Sequence, residues 1–104
     1  MALRVRVCAV EEVVPGQLRA FRVAGVTWPV IVTAIDGVVV AFPGVCPHED
    51  VELGNGEIEN TTVTCPGHGY RFDLRTGRCE HDADLTLRRY PTTQIGADIW
   101  VDIL

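Results

Sequence analysis

Two short segments carry the residue types best suited to inorganic chemistry. They are Cys46-Pro47-His48 and Cys65-Pro66-Gly67-His68, with sixteen residues between His48 and Cys65. Zinc fingers usually pair Cys with Cys and His with His within each short segment. Here each segment is mixed, a pattern that suits a two-iron cluster with both cysteines on one iron and both histidines on the other. A structural zinc site also accepts two thiolates and two imidazoles and stays as the alternative.

The remaining cysteines and histidine lie outside this spacing. Cys8 and Cys79 stand apart from both segments, and we interpret them as ordinary thiols of a reducing compartment. His81 lies between Glu80 and Asp82, which is typical of a solvated surface histidine. The candidate metal ligands are therefore Cys46, His48, Cys65 and His68.

Length and composition favour one small β-rich domain. The chain has 104 residues, with ten glycines, six prolines and many valines and isoleucines, as is common in β-proteins. No stretch approaches the roughly 20 apolar residues of a membrane span. Residues 1–7 alternate between polar and apolar side chains and contain no signal-peptide core. We therefore expect a soluble cytoplasmic protein with no membrane partner.

The charge of the chain argues against nucleic acid as a partner. Nine arginines, no lysine and fourteen acidic residues give a formal net charge of −5. A solvated loop explains the densest run of acids, and docking of a basic partner beside His48 is the alternative. The run occupies eleven residues without a basic side chain and contains Glu49, Asp50, Glu52, Glu57 and Glu59.

The hydrophobic pattern predicts short strands joined by tight turns. Asp36-Gly37, between residues 29–35 and 38–42, is a strong hairpin signal. A turn at residues 54–56 precedes a second hairpin in residues 57–65, bent at Asn60-Thr61. The other predicted elements are a helical turn in residues 11–17 and strands at residues 3–7, 18–23, 72–74, 78–80, 85–90, 92–95 and 99–103.

These elements predict an all-β fold, an antiparallel sandwich or small barrel of around ten short strands. The chain is expected to form a single domain, residues 1–104. Both Cys-His segments fall within about residues 43–84. We interpret that stretch as a cluster-binding subdomain inserted in a β base formed by residues 1–42 and 85–104.

The second segment continues into Gly69-Tyr70-Arg71-Phe72-Asp73 and then Leu74-Arg75-Thr76-Gly77. Together with C-x-H, sixteen residues and C-x₂-H, this stretch resembles the Rieske ferredoxins, and the resemblance covers nearly the whole chain. It implies a Rieske-like fold and one 2Fe-2S cluster per chain. By position, Cys46 and Cys65 would bind one ferric iron, and His48 and His68 would bind the other.

Departures from the respiratory members of that family imply a low reduction potential. Those proteins carry two further loop cysteines in a disulfide, at positions that correspond here to Val51 and Gly67. They also place serine and tyrosine hydroxyls against the cluster, where this chain has Tyr70 and Phe72. Fewer hydroxyl hydrogen bonds stabilise the reduced state less. The potential is therefore expected at the low end of the range from about −150 to +300 mV.

Low-potential, stand-alone Rieske domains resemble the electron carriers of bacterial multicomponent oxygenases. The resemblance implies a ferredoxin that carries single electrons from an NADH-dependent flavin reductase to a terminal oxygenase and performs no substrate chemistry. Residues 46–49 and 81–85 resemble carriers of di-iron monooxygenases of aromatic or alkene hydrocarbons, which we favour. Residues 72–77 equally resemble carriers of aromatic-ring-hydroxylating dioxygenases, the alternative. The apolar residues expected to form a contact patch beside the histidines are Val51, Leu53 and Tyr70.

A different class of function is a zinc-stabilised, accessory or sensor β domain, which would not exchange electrons rapidly with a reductase. The chain has no G-x-G-x-x-G motif, so we do not expect it to bind flavin or NADH itself. After the four ligands only His81 remains, too few histidines for a 2-His-1-carboxylate iron site. An electron carrier is therefore the favoured interpretation.

Overall fold

The computed structural model describes residues 3–47, 51–67 and 69–103. No helix in these ranges is long and apolar enough to cross a membrane. In chain order, the elements are β1 (Arg4–Ala9), a 3₁₀ turn (Val10–Glu12), β2 (Arg19–Phe21), β3 (Val30–Ile35), β4 (Val38–Pro43), a second 3₁₀ turn (Leu53–Asn55), β5 (Glu57–Glu59), β6 (Thr62–Thr64), β7 (Arg71–Asp73), β8 (Thr92–Ile95) and β9 (Asp98–Asp102).

The nine strands of the described residues form three antiparallel sheets of three strands each. Their orders are β1-β9-β8, β2-β3-β4 and β5-β6-β7. The first sheet therefore joins the two ends of the chain, with Val5 opposite Val101. An isolated bridge pairs Ala41 of the second sheet with Tyr90, two residues before β8 begins. The predicted all-β antiparallel fold is confirmed.

The hairpin of β3 and β4 turns where the sequence predicts. Asp36 and Gly37 have φ angles of 52° and 79°, and positive φ at both central residues is what a type I′ turn requires. The second predicted hairpin also forms, because Asn60 takes φ 55° between β5 and β6. Local turn chemistry thus sets the register of both hairpins.

β3 is buried on both faces, which explains why it has almost no polar residue. Ile31 and Ile35 belong to one hydrophobic core, whereas Val30 and Val32 belong to the other. Each such side chain contributes about 1.5–3 kcal/mol of burial free energy. The first core contains Ile31, Ile35, Val40, Phe42, Cys46, Leu53, Val63, Cys65, Phe72, Leu74, Cys79 and Leu87. The second contains Val7, Cys8, Val30, Val32, Ala41, Tyr90, Ile99 and Val101.

The predicted strand at residues 85–90 is wrong. This segment is an extended connection whose backbone groups bond to two different parts of the molecule. The amide of Leu87 donates to the carbonyl oxygen of Gly77 at 2.7 Å, and that of Tyr90 donates to Ala41 at 2.8 Å. Because no single neighbour accompanies the segment, a continuous ladder cannot form. Alternation of side chains shows which residues are buried but not which strand lies alongside them.

The sheet β5-β6-β7 lies within the stretch that was expected to form an inserted subdomain. Its buried residues Val63 and Phe72 share the first core with Ile31 and Phe42 of the central hairpin. The division of the domain into an inserted subdomain and a base stays a prediction.

Candidate metal centre

The first loop (residues 46–51) leaves the end of β4 and is closed by backbone hydrogen bonds. The amide of Cys46 donates to the carbonyl oxygen of Val51 at 3.0 Å, and that of Leu53 donates to Gly44 at 3.1 Å. These two bonds flank an isolated bridge between Val45 and Glu52. The loop is therefore closed at its base by a single bridge rather than by a ladder of two strands.

The second loop (residues 65–70) connects β6 to β7. The amide of Cys65 donates to the carbonyl oxygen of Tyr70 at 2.7 Å, and Gly69 donates back to Cys65 at 3.2 Å. Gly69 has φ 72°, a left-handed conformation that costs glycine least. The antiparallel pair of Thr64 and Arg71 continues directly from the loop into the strands.

The two loops bring their cysteines into the same core. Cys46 and Cys65 are 3% and 1% exposed, and both belong to the first core. Pro47 and Pro66, which follow them, are exposed. Each loop therefore begins at a buried sulfur and emerges at the surface one residue later.

The donor set fits an iron–sulfur cluster on its sulfur side. The sulfurs of Cys46 and Cys65 lie in one apolar core. A metal cation supplies the charge that makes such ligands stable as thiolates. The core thus suits Cys46 and Cys65 as ligands of a buried iron. His48 and His68 lie outside the described residues, and the role of all four ligands stays a prediction.

The other two cysteines are buried but stand in different surroundings. Cys8 belongs to the second core, where burial raises the pKa of its thiol and the Glu12 carboxylate adds to the effect. Cys79 belongs to the first core and forms an isolated β-bridge with Phe72 on β7. The amide of Cys79 donates to the carbonyl oxygen of Leu85 at 3.4 Å, six residues later rather than five. Burial and a closing hydrogen bond therefore do not by themselves separate the candidate ligands from Cys79.

His81 is exposed, as the sequence predicts, and it has a neighbour. Its ring centroid lies 6.0 Å from that of Tyr70, with the planes tilted by 49°. Tyr70 is half-buried against the first core. His81 thus covers part of the last residue of the second loop.

The predicted contact patch of Val51, Leu53 and Tyr70 is wrong for Leu53. Leu53 is fully buried, because the 3₁₀ turn that starts there directs its side chain into the first core. Val51 and Tyr70 are half-buried against the same core. The exposed residues of the two loops that the structure describes are instead Pro47, Pro66, Gly67 and Gly69.

Acidic side chains lie beside the second loop. Glu52, Glu57 and Glu59 are exposed, and Glu57 and Glu59 have alternate positions on β5 and therefore share one face. Glu57 also lines a cavity of about 290 Å³ together with Cys65 and Pro66. The ion pairs described in residues 3–47, 51–67 and 69–103 involve other acids, namely Asp73, Glu80, Asp98 and Asp102. Glu49 and Asp50 lie outside the described residues.

Two glycines at close backbone approaches were missed as site residues. A Cβ atom on Gly44 would lie 2.9 Å from the carbonyl oxygen of Pro29, and one on Gly56 would overlap the carbonyl oxygen of Thr64. Gly44 precedes the first loop by two residues, and Thr64 immediately precedes the second. The sequence marks both glycines only as turn residues, because the approaching carbonyl comes from a distant segment.

Comparison with known proteins gives matches along most of the chain. A family model described as Rieske [2Fe-2S] domain matches residues 4–91. The ferredoxin component of the p-cumate 2,3-dioxygenase system of Pseudomonas putida is 29% identical, over 95% of this chain and 85% of that relative. The ferredoxin component of the alkene monooxygenase system of Xanthobacter autotrophicus is 28% identical, over 93% and 79%.

Solved structures and longer relatives add two further findings. A Sphingomonas yanoikuyae B1 ferredoxin has a TM-score of 0.86 and 26% identity, covering 98% of this chain and 100% of that one. The oxygenase component of dicamba O-demethylase from Stenotrophomonas maltophilia is 36% identical over 64% of this chain. The chain spans only 22% of that oxygenase component. Likeness to the ferredoxin components is therefore end to end, and likeness to the oxygenase component is partial.

Proposed function

This chain belongs to the Rieske 2Fe-2S domain family, and from that premise we propose that it carries single electrons from a reductase to a terminal oxygenase. The family match confirms the predicted fold and the 2Fe-2S cofactor and favours them over a zinc-stabilised domain. One observation carries the proposal: ferredoxin components of oxygenase systems match this chain along most of their own length. Those relatives are electron-transfer components, which confirms the prediction of a carrier rather than an enzyme.

The chain's own residues divide the work of holding the cluster. A bound Rieske cluster supplies a one-electron redox couple. Cys46 and Cys65 hold it from the buried side, where the first core excludes water from the sulfurs. His48 and His68 would supply the two imidazole ligands. Pro47 and Pro66, which follow the two cysteines, are exposed. The surface formed by the two loops is therefore the one through which we propose that a partner receives the electron.

The reduction potential is proposed to be low, and the described residues support this. The aromatic ring of Phe72 is fully buried in the first core, so the position of a family hydroxyl is filled by a group without a donor. Val51 uses its carbonyl oxygen to accept from Cys46 and offers no disulfide sulfur. Weaker hydrogen bonding to a cluster lowers its potential. A low potential suits reduction by a flavin reductase that takes electrons from NADH.

The acidic face beside the second loop is proposed to guide docking of the reductase and the oxygenase. Glu57 reaches the cavity that Cys65 lines, and Glu59 follows on the same face of β5. Opposite charge on a partner raises the association rate rather than the affinity of the final complex. NADH is the source of the electrons, so we place the protein in the cytoplasm.

For the terminal oxygenase, a di-iron monooxygenase of aromatic or alkene hydrocarbons is the first candidate. Relatives from an alkene monooxygenase system and from a dioxygenase system match equally well, so an aromatic-ring-hydroxylating dioxygenase is the second. Product formation with each class of oxygenase, with the same reductase and this protein as carrier, distinguishes them. Support of turnover by one class alone assigns the system.

The first experiment is an EPR spectrum of the anaerobically purified, dithionite-reduced protein, with iron and sulfide measured in the same sample. We expect the rhombic spectrum of a Rieske centre with two irons and two sulfides per chain, since that is the composition of the cluster. One zinc and no sulfide, in protein produced with ample iron, would overturn the proposal. The same sample then serves for stopped-flow reduction by an NADH-dependent flavin reductase of an oxygenase system.

The docking face is tested in that stopped-flow assay with the double variant Glu57→Gln/Glu59→Gln. We expect reduction several-fold slower than wild type at low ionic strength, with the difference fading at high salt because salt screens exposed charges. Glu11→Gln removes an exposed carboxylate on the first 3₁₀ turn, outside both cysteine loops, and is the control. Equal rates for all three proteins at every salt concentration would contradict the docking face without touching the carrier function.

A further inference from the structure

The segment that connects the first loop to β5 contacts the bases of both loops. It comprises residues 53–56 and is called the linking segment here. Its first residue, Leu53, is fully buried and its amide donates to the carbonyl oxygen of Gly44 at 3.1 Å. Its last residue, Gly56, donates to the carbonyl oxygen of Leu53 at 2.9 Å. The linking segment is thus bonded to the chain two residues before Cys46.

The other end of the linking segment lies directly against the second loop. A Cβ atom on Gly56 would overlap the carbonyl oxygen of Thr64 and lie 3.2 Å from that of Leu53. Thr64 immediately precedes Cys65 and pairs with Glu57 on β5. The backbone at Gly56 therefore lies against that of Thr64 without room for one additional carbon atom.

The requirement at Gly56 is space and not backbone conformation. Gly56 has φ −83° and ψ −165°, extended values that any residue adopts. Gly54, two residues earlier in the same segment, also lies outside the left-handed region. A Cβ atom on Gly54 would meet its nearest neighbours, the side chains of Ala20 and Ile31, at 3.8 and 4.0 Å. Gly54 therefore tolerates alanine, and the two glycines form a matched pair.

We infer that the linking segment fixes the spacing of the two cysteine loops and that Gly56 is a positioning residue for the 2Fe-2S cluster. The inference rests on the proposed function, because the centre being positioned is that cluster. If Cys46 and Cys65 bind the same iron, a displacement of Thr64 moves one sulfur relative to the other. A cluster is sensitive to such displacement through its sulfur ligands and their surroundings.

The test compares Gly56→Ala with Gly54→Ala in anaerobically purified holoprotein. We expect Gly56→Ala to shift the EPR g-values and the midpoint potential and to lose its visible absorbance to a chelator about tenfold faster than wild type. Gly54→Ala is expected to match wild type in all three. Wild-type g-values, potential and cluster lifetime in Gly56→Ala would overturn the inference. A wild-type protein without a Rieske spectrum would instead refute the proposed function.

A milder pair decides the matter if Gly56→Ala does not accumulate. Leu53→Val and Leu74→Val make the same change at two fully buried positions of the first core, but only Leu53 belongs to the linking segment. Both should fold, because each removes a single methylene from a large apolar core. We expect faster cluster loss and shifted g-values in Leu53→Val alone. Equal behaviour of the two variants would overturn the inference.

Discussion

The two cysteine loops share a closing hydrogen bond but differ in what surrounds it. In each, the amide of the cysteine donates to the carbonyl oxygen five residues later, Val51 in one and Tyr70 in the other. The second loop continues into three consecutive pairs of β6 and β7. The first is closed by one bridge and otherwise depends on the linking segment and on Gly44 packed against Pro29. The same closing hydrogen bond is therefore supported by a ladder in the second loop and by tertiary packing in the first.

If the two loops hold one metal centre, as proposed, then such a centre needs only one of its loops to be a regular hairpin. A ladder fixes its loop through local pairs, and the pairs that flank the second loop all lie within residues 62–73. The first loop depends instead on contacts between separate segments of the chain. Gly44 packs against Pro29, and the amide of Leu53 donates to the carbonyl oxygen of Gly44. Substitutions far from the ligands should therefore affect the first loop more than the second.

The largest expected effect lies at the sulfurs, where the comparison predicts no difference between the loops. Cys46→Ser and Cys65→Ser should each abolish the cluster, because both sulfurs are needed on one iron. Cys8→Ser and Cys79→Ser, at equally buried cysteines, should retain two irons and two sulfides per chain. Iron and sulfide analysis of the four proteins checks this. A full cluster in either ligand variant would remove that cysteine from the proposed site.

A smaller effect is expected in the backbone dynamics, where the loops should differ. In hydrogen exchange followed by mass spectrometry of the holoprotein, peptides that cover residues 43–52 should exchange several-fold faster than peptides that cover residues 62–72. The reason is that isolated bridges open by local fluctuations more readily than ladder positions. Peptides from β3, buried on both faces, provide the slow reference. Equal exchange in the two loops would contradict the distinction between ladder and packing.

Much of this arrangement could be predicted from the sequence, because its signals are local. Asp36-Gly37 and Asn60 mark their turns by the conformations these residues tolerate. The candidate ligands are proposed from their residue types and spacing, which are also local signals. The burial of Leu53 could not be predicted in the same way, since an apolar residue after a ligand loop fits a surface patch as well as a core. Only the contact with the central hairpin's core decides between them.

For a related reason, the sequence could not predict the close approach at Gly56 or the extended connection at residues 85–90. A glycine in a turn sequence ordinarily indicates backbone freedom, yet Gly56 has an extended φ and is needed because Thr64 lies against it. In residues 85–90 burial alternates only as far as Arg88, and the hydrogen-bond partners belong to two separate segments. Both features depend on which distant backbone lies alongside, and a single sequence does not carry that information.

The smallest expected effect concerns the turn that follows β7, one of the two strands that flank the second loop. Asp73 accepts hydrogen bonds from the Arg75 amide at 2.9 Å and from the Arg75 guanidinium at 3.2 and 3.1 Å. These bonds hold the pKa of the Asp73 carboxyl below its ordinary value. A carboxyl whose pKa is lowered by folding stabilises the folded state above its unfolded pKa of about 3.9 and loses that contribution as the pH falls further.

Asp73→Asn should therefore lower stability at neutral pH by less than about 1 kcal/mol, because exposed ion pairs contribute little. The difference from wild type should shrink as the pH falls below about 4, and urea unfolding midpoints at several pH values measure it. Asp84→Asn, at an exposed carboxylate, controls for a change of net charge.

If the ladder holds the second loop, Asp73→Asn should also speed hydrogen exchange in residues 62–72 and leave exchange in residues 43–52 unchanged. Faster exchange in both loops would mean that the ladder supports the first loop as well, and the contrast between the two would fail.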